Sequence, residues 1–503
     1  MQLSKSEYMM FLRHPAWVWL KKHRKEVLPA PSPALQARFD DGHYFEQFAE
    51  ALFAGIVPLG FDNYRAYLSL PVRTKDALDQ GAAVITQGRF EAGDLTCITD
   101  VLERVAGNTF DLFEIKSSTS VKPEHIYDLA FQRTVLEDAG LDIRTISVLY
   151  VNRDYVRDGA IVADALVARD DVTAKVDELM VQTRHHIDRA REIVQAPGIP
   201  DPSPRHARLG AYQDWFEIFE VLHGPCQPDS IYALPQASAK LIGQLEDAGI
   251  CTLAEIADPA ILNKAQQRFW RAWHDGTRRI DQPQIAAFLD RLAYPIYFLD
   301  YETTQGVIPP YDGTRPYQQI PFQYSLHVQS TPGGPIEHHE FLHRDTTNPV
   351  PSLLDRLRKD IGDTGSVLVW YQAFEKARNN EMAIIAPEHA EFLAQLNDRV
   401  VDLIDPFKQG WVIDKDFAGS NSIKKVLPVL VPDLSYTDLD VQEGETASRL
   451  WKETALDGKH ADNSEKIYRD LLKYCELDTW AMVRIFQVLQ DMAAMPAAHH
   501  VPG

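Results

Sequence analysis

The hydrophobic pattern opens with a helical period: residues 4 to 26 read as one helical stretch that runs into the proline-rich VLPAPSPAL. A second amphipathic helix follows in GHYFEQFAEALF, with Phe45, Phe48, Leu52 and Phe53 on one side and His43, Glu46 and Glu50 on the polar side. From residue 83 the period shortens to β-like runs, AVITQGRF, LTCITDVLERV and FDLFEIKSS, separated by turn residues, which predicts a meander. A helix over 124 to 139, a strand at ISVLYVN and a long helix near 171 to 194 complete an α/β unit that stops at the linker APGIPDPSPRH.

Residues 227 to 283 read as a small helical segment, in which LPQASAKLIGQLEDAGICTLAEIAD is either a helix-hairpin-helix unit or a plain spacer. A third region opens on the strand PIYFLDYETT. It continues through FQYSLHVQ, SVLVWY, a helix from about 374, VVDLIDPF and a helix ending near 491. Alternating strands and helices predict a multi-domain α/β protein with boundaries near 1–197, 198–290 and 291–492, and a frayed tail over 493–503.

Composition narrows the function classes. A chain of 503 residues exceeds one hydrophobic core, and 45% hydrophobic with 24% charged residues is globular. No apolar run reaches the ~20 residues of a membrane span, and the N-terminus has no secretory pattern, so a cytoplasmic protein without a membrane partner is expected. Cys97, Cys226, Cys251 and Cys475 stand far apart, which points to neither a disulfide framework nor a zinc knuckle. A net charge of −21 argues against indiscriminate coating of nucleic acid. The basic run Lys21, Lys22, His23, Arg24, Lys25 is either a local guide for a strand or a solvated helix end.

The first candidate chemistry lies in the meander. Gly107 is seven residues from both Asp100 and Glu114, so a symmetric hairpin places these carboxylates opposite each other, with Lys116 on their face. Two carboxylates beside a lysine suit a divalent cation that polarises a phosphate and acidifies water. In the helix that follows, His125, Asp128 and Gln132 share one side and can close over it. The ordered set His43, Asp100, Glu114, Lys116 and Gln132 resembles the RecB-like branch of the PD-(D/E)xK nucleases, a restriction-endonuclease-like fold. The resemblance implies His43, Asp100 and Glu114 as metal ligands, Lys116 as the catalytic lysine and Gln132 as a site-closing residue. Many relatives that join such a domain to this kind of C-terminal region look like iron–sulfur proteins with an N-terminal Cys-Pro. Here His14 and Pro15 stand instead and RHARLGAYQDWFEIFE holds no cysteine, so no iron–sulfur cluster is expected, and packing around Trp17, Trp19 and Trp215 is the substitute.

The second candidate lies in the third region. Asp300 and Glu302 end an apolar strand and share a face by its period of two. Glu375 opens a helix after a strand, with Asp402 and Asp405 as rival acids, and Tyr474 and Asp478 stand one helical turn apart. This set resembles the DnaQ-like DEDD exonucleases of the ribonuclease H-like fold, tyrosine subtype. The resemblance implies Asp300, Glu302, Glu375 and Asp478 as ligands of Mg²⁺ or Mn²⁺, and Tyr474 as the group that positions water. Glu375 stands where that family usually has Asn and Asp. As a whole the chain resembles an uncharacterised bacterial family that fuses a RecB-like to a DnaQ-like domain. The expected function is metal-dependent hydrolysis of phosphodiesters in DNA, single strands or ends first, with RNA the second substrate class. A nucleic-acid-binding scaffold is the alternative. The chain holds no GxxxxGK[ST], so unwinding would require a helicase or other DNA-processing partner.

Overall fold

A computed structural model describes residues 2–276, 278–437 and 439–495, the side chain of Ala34 excepted. The expected tail beyond residue 495 lies outside the described residues, while 493 and 494 still belong to the last helix. The chain is a mixed α/β, multi-domain protein that divides into two compact units. One comprises Met1–Gln227, Ser238–Gly249 and Val307–Tyr317; the other comprises Pro228–Ala237, Ile250–Gly306 and Gln318–Gly503.

The first unit carries a seven-stranded sheet: β1 (Leu3–Ser4), β2 (Ile56–Pro58), β3 (Val84–Ala92), β4 (Leu95–Ala106), β5 (Thr109–Lys116), β6 (Asp142–Val151) and β7 (Val167–Asp171). The order is β2-β3-β4-β5-β6-β7, with β1 beside β4. Strands β3, β4 and β5 form the antiparallel meander read from the sequence. Strand β6 lies parallel to β5, which demands a crossover, and the helix Pro123–Asp138 supplies it. Tyr8, Phe110, Leu129, Phe131 and Trp215 are among the residues of its main apolar core.

The single helix expected over 4–26 is two, Lys5–Arg13 and Pro15–His23. Proline disfavours α geometry at the residue before it, and His14 is accordingly extended (φ −161°, ψ 127°). Its Nδ1 accepts from the Ala16 N–H and caps the second helix. The helix around GHYFEQFAEALF starts earlier than its apolar side announces, at Pro33.

In the second unit β8 (Arg279–Ile280) pairs with a distant strand, while β9 (Ile296–Thr304), β10 (Ile320–Gln329), β11 (Ile336–Leu342), β12 (Ser366–Val369) and β13 (Val400–Asp402) form a five-stranded sheet. Its order is β11-β10-β9-β12-β13, and β14 (Val412–Ile413) is the partner of β8. Strand β9 is central, antiparallel to β10 and parallel to β12. The C-terminal helix Ser464–Ala494 crosses β9 and β10. Phe486 packs edge-on to Phe298, and the buried Gln323 side chain donates to the Leu471 carbonyl.

Two boundaries differ from those expected. Residues 198–290 form no unit of their own but divide between the two, and so does the stretch read as a helix-hairpin-helix. In the first unit the helix Ala239–Asp247 is tied down by Arg205, which pairs with Glu246 and Asp247, and by Ser203, whose hydroxyl donates to Glu246. Residues 307–317 belong with the first unit and not with the third region, because Val307 joins the apolar cluster of Phe45, Phe113 and Ile115. Arg157 also donates to the carbonyls of Pro309 and Pro310 at 3.0 and 2.7 Å.

Candidate functional site

In the first unit the hairpin has the anticipated symmetry. Val101 faces Phe113 and Leu102 faces Leu112, a register centred on Gly107, which turns with φ +54°; nearer the turn Ala106 pairs with Thr109, and the extra residue Val105 makes the one-residue shift between the two registers. Asp100 and Glu114 are both buried, and Asp100 Oδ2 accepts from the Ile115 N–H at 2.7 Å. Glu114 Oε1 receives Lys116 Nζ at 2.5 Å and Lys5 Nζ at 3.1 Å, and Oε2 receives Gln132 Nε2 at 2.6 Å. Asp128 completes the group, 3.3 Å from Lys116, 3.6 Å from Lys5 and 3.0 Å from Gln132.

His125, Asp128 and Gln132 do share a side of their helix, and all three are buried. Burial raises the Glu114 carboxyl, but Lys116 and Lys5 outweigh it and hold the group well below the usual range. Asp100, farther from the lysines, is pushed up to about 7 by burial and by the Glu114 charge. Asp128 is raised for the same two reasons. Three carboxylates therefore face two lysines, a nearly balanced cluster. Lys5, from the first helix, was not anticipated; its place in an N-terminal helix far from the hairpin gives no sequence signal.

His43 does not join this group. It is exposed, and its electrostatic neighbour is Glu46, which burial raises and the imidazole lowers. His14 is fully buried and stacks on Trp215 with ring centroids 3.7 Å apart and 7° between planes. Nδ1 already accepts from Ala16, so Nε2 carries the proton and donates to the Ser203 carbonyl at 3.0 Å. Burial lowers its pKa to about 4, and a neutral imidazole in an aromatic stack joins the N-terminal helices to residues 202–215.

The second unit gathers a denser group. On β9, Asp300 stands opposite Ser325 and Glu302 opposite Gln323 of β10. The ligand atoms of Asp300, Glu302 and Cys475 lie within 4.8 Å of one another, which verifies the shared face. The Cys475 thiol donates to the Asp300 carbonyl at 3.9 Å. From the same helix comes Asp478, whose Oδ1 accepts from the Tyr436 hydroxyl at 2.6 Å. Tyr474 is buried beside it. A methyl group built at Gly444 would sit 3.5 Å from Glu302 Oε2 and 3.9 Å from the Tyr474 hydroxyl, which places the Gly444 backbone against the acid group.

Glu375 is brought to this group and Asp402 is not. Burial and the charges of Asp300 and Glu302 raise the Glu375 carboxyl well above its ordinary value, and its buried Oε2 has no hydrogen-bond partner among the described residues. Asp402 accepts from the backbone N–H groups of Tyr371 and Gln372 at 2.9 and 3.0 Å. It clamps a turn in which Tyr371 has φ +87°, so its oxygens are engaged in structure. Asp405 is raised by burial and by Asp402.

Burial raises Asp300 and Glu302, as do neighbouring acids, and Asp478 rises to about 6, restrained by the Tyr436 bond and by Lys424. Lys424 lies 5.6 Å from the Tyr436 ring and 5.4 Å from the Tyr474 ring. Lys424 thus acts on three of the four carboxylates, Asp300, Glu302 and Asp478, and Arg378 on the fourth, Glu375. This excess of negative charge and the orphaned Glu375 oxygen fit divalent cations held by Asp300, Glu302, Glu375 and Asp478 better than they fit an ion-paired surface. Tyr436 and Lys424 escaped the sequence reading because they lie in irregular structure and on a short helix that carry no spacing signal.

The family described as a domain of unknown function, DUF2779, matches residues 297–422, which include Asp300, Glu302 and Glu375 but not Tyr474 or Asp478. The chain is 27% identical over 217 residues to the uncharacterized protein MG366 of Mycoplasma genitalium, covering 39% of this chain and 32% of the relative. It is 25% identical over 272 residues to the uncharacterized MG366 homolog of Mycoplasma pneumoniae, covering 50% of this chain and 41% of the relative. The chain therefore spans less than half the length of these relatives, and similarity to them, like the match to DUF2779, assigns no activity.

Proposed function

We propose that this protein is a metal-dependent nuclease whose second unit is a DnaQ-like exonuclease of ribonuclease H-like fold, acting on DNA ends. The observation that carries this reading is the pairing of Asp300 and Glu302 within 4.8 Å on one strand face, with Asp478 and Glu375 near enough for their charges to act on that pair, against Lys424 and Arg378 alone, among the described residues, as the cations acting on them. A mixed sheet with the acid pair on its central strand, crossed by the helix that brings Tyr474 and Asp478, supports the fold assignment. Mg²⁺ or Mn²⁺ held there would polarise the phosphate and lower the pKa of the attacking water. Burial and the surrounding carboxylates keep Tyr474 protonated, so its hydroxyl orients water as a hydrogen-bond partner and does not act as a base. Cys475 adds packing, its thiol kept protonated by burial and by the acids around it.

The first unit carries a second, RecB-like site in this reading, with Asp100 and Glu114 as acids, Lys116 as the catalytic lysine and Gln132 and Asp128 closing it. Here a binding-only reading has its own support, since Lys5 already occupies Glu114 and Asp128. A helicase would supply unwinding.

End-labelled single- and double-stranded DNA and RNA, incubated with the full chain in Mg²⁺, Mn²⁺ or EDTA, test both sites. Asp300→Asn with Glu302→Gln should abolish metal-dependent laddering from the 3′ end, and Lys116→Ala should abolish internal cuts. Binding without product in every metal would leave the scaffold reading.

A further inference from the structure

Beside the acid group, the same sheet face carries an arrangement that the nuclease reading does not use. His327 of β10 and His338 of β11 are cross-strand partners whose rings stack at 4.4 Å with 24° between planes. Glu476 of the C-terminal helix faces them, and the ligand atoms of His327, His338 and Glu476 lie within 4.8 Å of one another. Three elements therefore meet at one point through two imidazoles and a carboxylate.

The hydrogen bonds around the rings decide which nitrogens are free. The Thr479 hydroxyl has one proton, and when it donates that proton to the Glu476 carbonyl at 3.1 Å it accepts from its other neighbours. It accepts from the Ser325 hydroxyl at 2.6 Å and from His327 Nδ1–H at 2.8 Å. Ser325 has then used its one proton and accepts from His338 Nε2–H at 2.9 Å. In this arrangement of protons the lone pairs remain on His327 Nε2 and His338 Nδ1. Each imidazole has its other nitrogen anchored on a hydroxyl, the outer-shell pattern that orients histidine ligands and sets their tautomer.

His338 Nδ1 and Glu476 Oε1 are 3.9 Å apart. With this tautomer both atoms are electron-pair donors, a contact that a shared proton or a cation between them relieves. Bonds of ~2.0–2.2 Å from one ion reach both, and two imidazoles with one carboxylate suit a borderline ion of the zinc type over Mg²⁺ or Ca²⁺. Glu476 is half-exposed while His327 is buried, so an ion can enter from the solvent side and a water can complete its coordination.

We propose that His327, His338 and Glu476 form a second metal site in this unit, separate from the carboxylate group, that takes a divalent transition ion of the zinc type. The ion would cross-link β10, β11 and the C-terminal helix, the element that carries Tyr474 and Asp478.

The test uses the full chain stripped with EDTA, in an Asp300→Asn, Glu302→Gln background that silences the acid group, titrated with Zn²⁺ by calorimetry and with Co²⁺ by visible absorption. One Zn²⁺ per chain is expected, with ligand-field bands for Co²⁺ and a melting temperature that rises by several degrees with Zn²⁺. His338→Ala and Glu476→Ala should each weaken binding about 100-fold, and Thr479→Val, which leaves all three ligands in place, about 10-fold. If the background chain does not fold, the wild-type chain saturated with Mg²⁺ serves for the same comparison. Zn²⁺ affinity and stoichiometry unchanged by His338→Ala and Glu476→Ala, or no Zn²⁺ bound below millimolar concentration, would overturn the proposal.

Discussion

The Tyr436 hydroxyl holds Asp478 Oδ1 at 2.6 Å, so a residue outside every strand and helix orients the carboxylate that the last helix brings to Asp300 and Glu302. A hydrogen bond to a charged group contributes about 1.5–3 kcal/mol. Tyr436→Phe should therefore lower metal-dependent exonuclease turnover about 10-fold while the chain stays folded. Turnover equal to wild type across a Mg²⁺ titration would remove Tyr436 from the site.

The pH dependence has a defined sign. Asp478 titrates near 6 in the folded chain, against about 4 for an aspartate in an unfolded one. Between those values the folded state holds a proton that the unfolded state has released, so the stability of the metal-free protein falls as pH rises through that window. Asp300, Glu302 and Glu375 shift the same way. Melting temperatures in EDTA should decline from pH 4.5 to 7, less steeply in Asp478→Asn, and Mn²⁺ should restore them at pH 7. A flat profile in both proteins would mean that these carboxylates ionise normally.

Glu375 and Asp402 should respond in opposite ways. Glu375→Gln removes one of four crowded charges at nearly constant shape, so melting temperature should hold or rise while Mn²⁺ affinity and cleavage drop at least about 10-fold. Asp402→Ala strands the backbone N–H groups of Tyr371 and Gln372 and should cost about 2–6 kcal/mol at roughly 1–3 per buried donor. Denaturant unfolding beside Mn²⁺ calorimetry separates them; a stable Asp402→Ala that binds no metal would reverse their roles.

Lys5→Met should destabilise the first unit. Breaking a buried ion pair costs about 3–5 kcal/mol, and the 24% exposure of the Lys5 side chain reduces this to roughly 2 kcal/mol. Glu114 would still keep Lys116 and Gln132, so its pKa should rise without reaching that of Asp100. Urea unfolding of the variant and of wild type measures the difference, and equal midpoints would show Lys5 to be a bystander.

The sequence by itself determined what depends on neighbours along the chain. Period-two runs placed β3, β4, β5 and β9, and the equal spacing of Asp100 and Glu114 from Gly107 anticipated the register of the strands around them, while the irregularity at Val105 that produces it beyond the turn carried no sequence signal. The same period put Asp300 and Glu302 on one face, and one helical turn put Tyr474 beside Asp478. Tertiary structure alone decided which distant groups join them. It brought Lys5 to Glu114, Tyr436 and Lys424 to Asp478, and Glu375 in preference to Asp402, while leaving His43 exposed. It also moved residues 307–317 to the first unit. Such pairings depend on how packed elements bring remote segments together and on which charges burial leaves uncompensated, and neither follows from spacing along the chain.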